Sequence, residues 1–87
     1  MNNQQKIDRA ERVRRMLGSE EWIQAWDAYR AVLMDTIETA ADDEKALQAR
    51  RMLQVARQVR SHLELMITDG QVAAADVAAV KSQLRLA

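Results

Sequence analysis

The chain contains no proline, and its only two glycines, Gly18 and Gly70, stand 52 positions apart. Proline and glycine punctuate sheets, tight turns and long loops, so a chain without them has few ways to build anything but helix. The residues that fill the space point the same way. Ala, Leu, Arg, Glu, Gln and Met, all strong helix formers, recur throughout, and no segment alternates apolar and polar residues with the two-residue period of a strand. An all-α fold follows.

Helical spacing divides the chain into segments. Ile7, Ala10, Val13 and Leu17 share one face and predict a short first helix over about 4–17. Gly18 is expected to end it in the left-handed conformation, and Ser19 to cap the next helix, with Glu20 and Glu21 in its dipole-favoured first turn. That second helix is expected over 20–40, with Trp22, Trp26, Tyr29, Leu33, Ile37 and Ala40 as its apolar stripe. Asp42 or Asp43 caps a third helix over 43–69, whose stripe reads Gln48, Met52, Val55 with Ala56, Val59, Leu63, and Met66 with Ile67. Leu33 and Leu63 sit in the middle of their stripes. Gly70 is read as the stop. Ala73, Val77, Val80 and Leu84 outline a marginal fourth helix over 72–85, with small apolar residues and a free end. The short connection at 41–43 makes the two long helices an antiparallel hairpin within a single domain spanning 1–87.

At 87 residues such a domain buries only about 60–65% of its unfolded surface, so a partner or a second copy would add to a thin stability margin. Leu47 and Leu65 sharpen this expectation. They lie on one side of helix three, off its stripe, with Leu53 and Met34 on further flanks. Either the terminal helices cover them or another chain does, which makes a protein partner or a homo-oligomer the expected state.

Most chemistry lacks a carrier. Cysteine is absent, which removes disulfides, thiol nucleophiles and Cys-based metal sites. The single histidine, His62, has no histidine three or four positions away, and its neighbour Ser61 points about 100° from it on a helix. Asp42, Asp43 and Glu44 cluster at a turn, where capping accounts for them and the ligand spacing of a calcium loop is missing. Two isolated glycines make no phosphate loop. The expectation is a non-enzyme without cofactor or metal. The basic opening to Leu17 has no apolar core behind it and is not a secretory signal, and no stretch reaches the roughly 18 apolar residues of a membrane span. A cytoplasmic address is expected.

Thirteen basic residues balance thirteen acidic ones, but they are segregated. Residues 19–44 carry eight acids against Arg30 alone, whereas residues 45–60 carry Lys45, Arg50, Arg51, Arg57 and Arg60 and no acid. Opposite helices can simply attract each other, or the acidic side can dock a basic partner, such as an enzyme that the chain inhibits. Arg50, Arg51, Arg57 and Arg60 are the candidate nucleic-acid contacts. A helix-turn-helix reading fails, because its second helix would bring Glu20, Glu21 and Asp27 to the phosphates. Trp22, Trp26 and Tyr29 share one helical face, either as core or, with Arg30 at the edge, as a partner anchor. Trp22, Trp26, Arg30, Leu47 and Leu65 are therefore the candidate partner-binding residues.

The order of features resembles the small helical-hairpin accessory proteins of tailed phages and prophages. It comprises a short basic first helix (Arg12–Leu17), an aromatic-led second helix (Trp22–Leu33), and an Arg-rich third helix. The third runs from Arg50, Arg51 and Met52 through Val59, Leu63 and Glu64 to Asp69, Gly70 and Ala73. The resemblance covers about Arg9 to Ala75. It implies an accessory in virion assembly or host interaction, without catalytic residues, acting in the host cytoplasm or the virion.

Overall fold

The computed structural model describes residues 1–86 and is all-helical, with α1 at Asn3–Leu17, α2 at Glu20–Thr39 and α3 at Asp43–Leu86. Among these residues there is no strand.

Side chains satisfy the free N–H groups at each helix start. At α1 the Gln5 backbone N–H donates to Asn2 Oδ1 at 2.8 Å, and the Asn2 N–H donates to Gln5 Oε1 at 3.0 Å. This reciprocal pair is a capping box. Ser19 is extended (φ −72°, ψ 147°), and its Oγ accepts from the Trp22 N–H at 3.2 Å. Asp42 rather than Asp43 caps α3, accepting from the Lys45 N–H at 2.7 Å. The α2 end needs no glycine: Ala40 turns to an extended conformation (φ −59°, ψ 131°) while its N–H still reaches the Thr36 carbonyl at 2.9 Å.

Two expectations about glycine are corrected. No glycine has a positive φ, so Gly18 does not end α1 in the left-handed conformation. Gly70 does not end α3, which runs on to Leu86, so residues 72–85 are no separate fourth helix. Gly70 has a packing role instead. It is buried, and a methyl placed on it would overlap Ala10 Cβ and come within 3.0 Å of the Lys6 carbonyl oxygen. The missing side chain lets α1 approach the α3 backbone.

Contacts group the chain into two compact units, one formed by residues 1–17 with 62–87 and the other by residues 18–61. In the first, Ala10, Val13, Gly70 and Ala73 are buried, and Arg9 bridges to Asp69 at 3.5 Å near the Gly70 crossing. Ile7 and Leu17 are half-buried, which completes the face read for α1.

In the second unit the core is Leu33, Ala49 and Leu53, with Ile37 packed against it. Leu53 is thus a core residue and not a flanking one. The face of α3 differs from the expected stripe as well. Within this unit the packed positions are Ala46, Ala49, Leu53, Ala56 and Arg60, while Met52, Val55 and Val59 are 45%, 58% and 55% exposed. Alanine at 46, 49 and 56 gives α3 a shallow surface on which α2 can lie close, and Leu33 and Leu53 fill the space between.

Candidate functional site

Within residues 18–61, two features differ from ordinary packing. The first is aromatic. Ser19 fixes the first turn of α2 at Trp22, and one turn later Trp26 stacks on it, with ring centroids 6.1 Å apart and planes inclined by 17°. The Arg60 guanidinium lies 5.0 Å from the Trp26 ring centre. A cation over an indole face is worth ~0.5–1 kcal/mol where solvent is near. Both indoles are half-buried. Arg30, one turn beyond Trp26, is exposed. Trp22 and Trp26 are therefore brought together, and it is Arg60 that lies over Trp26.

The second feature is a groove of about 400 Å³, open to solvent and almost wholly apolar, lined by Tyr29 from α2 and by Gln48, Arg51, Met52, Val55 and Ala56 from α3. Helical geometry explains it. Tyr29 stands at one edge of the packed face of α2. Met52 and Val59, seven positions apart, form a column on α3 beside the packed one, and Val55 stands next to them. α3 thus carries two adjacent apolar columns, of which the unit buries one. Val32, 63% exposed, extends the apolar surface on α2.

The remaining candidates scatter. Leu47 and Leu65 are 47% and 55% exposed, but they fall in different units. Arg50, Arg51 and Arg57 are exposed. Arg51 borders the groove, whereas Arg50 and Arg57, seven apart, lie on the opposite flank of α3, and Arg60 is engaged over Trp26. The four arginines do not line one surface. Of the groove lining only Arg51 is among the candidate residues read from the sequence, although the signal for the rest is there: Met52, Val55 and Val59 form an apolar column, which the expected stripe places in the hairpin contact.

No charged or polar side chain is buried among the described residues, and no three His, Asp or Glu converge there to hold a metal ion. His62 is exposed. Among the described residues no helix is long and apolar enough to cross a membrane. The groove offers apolar contact and little polar definition, which suits a packed side-chain surface better than a small polar ligand.

No protein-family model matches the chain, and no curated protein or solved structure matches it.

Proposed function

We propose that the chain is a non-enzymatic protein–protein interaction module, built on an antiparallel helical hairpin, that serves as a phage- or prophage-type assembly or host-interaction accessory. The observation that carries the reading is the groove: Tyr29, Met52 and Val55 keep a contiguous apolar surface in water while alanines fill the adjacent packed positions. A small domain that leaves its larger apolar side chains outside forgoes burial of roughly 1.5–3 kcal/mol for each, and docking another protein recovers it. The phage-type assignment rests on the order of basic, aromatic-led and Arg-rich helices, and places the protein in the host cytoplasm or the virion.

Nucleic-acid association through the Arg-rich helix is the weaker alternative. Arg50 and Arg57 are separated around α3 from Arg51, and Arg60 is held at Trp26. Phosphate tracking requires cations in a row with no strong competing acid, and residues 19–44 supply eight acids.

The test is quantitative capture from a native lysate with the wild-type chain and with Met52→Lys plus Val55→Lys. Both positions are exposed, so helix content is expected to persist. The reading expects a defined set of proteins, or the chain itself, held by the wild type and lost from the variant. Identical capture by both chains would remove the groove as an interaction surface.

A further inference from the structure

The charges around the groove identify what covers it. Contacts inside residues 18–61 fix how α2 and α3 align along their axes. Leu33 clusters with Ala49 and Leu53, and Trp26 meets Arg60, so residues equally far from the connection stand at about the same height. On that alignment Asp35 is level with Arg51, Val32 with Met52, and Ala25 with Val59. The α2 edge of the groove continues from Tyr29 through Val32 to Asp35 at three-residue steps, and Glu21 falls in nearly the same column as Val32. The α3 edge carries Arg51, and Lys45 begins the Met52–Val59 column. All four charged residues are exposed, and no ion pair among the described residues joins Asp35 to Arg51. At the height of the groove the α2 edge carries Asp35 and the α3 edge Arg51, with apolar side chains between them, while Glu44, seven positions before Arg51 in the same column, lies towards the connection beyond the groove lining.

Such a surface is complementary to itself. We infer that the groove is covered by a second copy of this chain, packed groove to groove about a two-fold axis that runs along the helices. That axis lays the acidic α2 of one copy over the basic α3 of the other at unchanged height, so Asp35 meets the partner's Arg51 and Val32 meets the partner's Met52. An axis across the helices would instead set acidic α2 on acidic α2 and basic α3 on basic α3, which repulsion disfavours. Four helices then enclose one apolar centre, with every neighbour antiparallel. Tyr29, Val32, Met52, Val55 and Val59 are 43–63% exposed and present roughly 400 Å² of apolar surface per copy, in the range of functional patches. With its polar rims, the pair buries roughly 1,200 Å² in total, at the lower edge of specific interfaces. An interface at this edge of the size range belongs with weak, transient association, so dimerisation is expected at micromolar concentration and above.

This inference rests on the proposed interaction role and specifies its partner. The experiment is sedimentation equilibrium of the full chain, with circular dichroism as a check on helix. Wild type is expected to dimerise at micromolar concentration. Asp35→Lys alone and Arg51→Glu alone each reverse two contacts per dimer and are expected to weaken it by about tenfold or more, whereas the double variant restores it. Restoration is the decisive readout, because a merely structural role for either residue gives no rescue. Single variants that dimerise like wild type overturn the arrangement. A wild-type chain that stays monomeric at about 100 μM, in a range where specific interfaces of this size associate, overturns the self-docking. If that monomer still loses a captured protein on Met52→Lys with Val55→Lys, only the identity of the occupant falls. If it loses none, the interaction reading falls with it.

Discussion

Gly70→Ala separates the close-approach role of this glycine from that of a helix stop. In an exposed helix interior the change is favourable, since alanine is better than glycine by about 1 kcal/mol. Here the new methyl would overlap Ala10 Cβ and press on the Lys6 carbonyl oxygen at 3.0 Å. Ala10 Cβ has no rotamer to move into, and the carbonyl belongs to the α1 backbone, so relief requires α1 to shift away from α3. That shift opens space beside Ala73, which is 2% exposed, and lengthens the Arg9–Asp69 bridge from 3.5 Å. Overpacking costs typically about 1–3 kcal/mol, and rigid neighbours on both sides place this site at the upper end. The net loss is about 1–2 kcal/mol after the propensity gain.

For a chain of this size that lowers the melting temperature by roughly 4–8 °C per kcal/mol, which thermal denaturation followed by circular dichroism resolves. A stop glycine with positive φ would also be destabilised by alanine, so the single variant is insufficient. The double variant Gly70→Ala with Ala10→Gly supplies the distinction. Removing the Ala10 methyl relieves the overlap, and the pair should be more stable than the sum of the two single effects by about 1 kcal/mol. Strict additivity, or a higher melting temperature for Gly70→Ala alone, would refute the close approach.

Leu33→Asp should unfold residues 18–61, because Leu33 is the one residue of α2 buried in the core and an unpaired carboxylate there costs several kcal/mol; native-like melting would show that the core is wrongly assigned. Ser19→Ala should lower stability by about 1 kcal/mol through loss of the bond to the Trp22 N–H, as should Asp42→Ala through Lys45, and denaturant titrations without a shift would remove these caps from the account. At physiological salt, micromolar protein should not retard DNA or RNA, and a salt-sensitive shift abolished by Arg50→Glu with Arg57→Glu would favour the nucleic-acid alternative.

The helices were legible because their signals are local. Absent proline, a serine before two glutamates and a pair of aspartates fix where backbone N–H groups find partners, and each acts within four residues of itself. The α1 capping box was equally local, but it begins with Asn2 and Gln5, ahead of the first apolar residue that marks the periodic stretch. Gly70 failed for a different reason. A glycine after Asp69 and before an alanine run reads the same whether it ends a helix or accommodates another, and the choice is made by Ala10, sixty residues earlier. No local pattern contains that information.

The packed column of α3 was not legible for a related reason. α3 carries an Ala/Leu column at 46, 49, 53 and 56 and a Met/Val column at 52, 55 and 59. Hydrophobicity alone ranks the second higher, since Met and Val offer more apolar area than Ala. Packing inverted the rank, because alanines let α2 lie close and let Leu33 fill the space against Leu53, whereas burying the bulkier column would hold the helices apart. A chain that required only one face could have filled the second column with Lys, Glu and Gln at no cost to its core. Keeping Met52, Val55 and Val59 in water beside Tyr29 is the arrangement that the proposed second contact would explain, and Asp35 on one edge with Arg51 on the other is the reason a second copy of this chain is proposed for it.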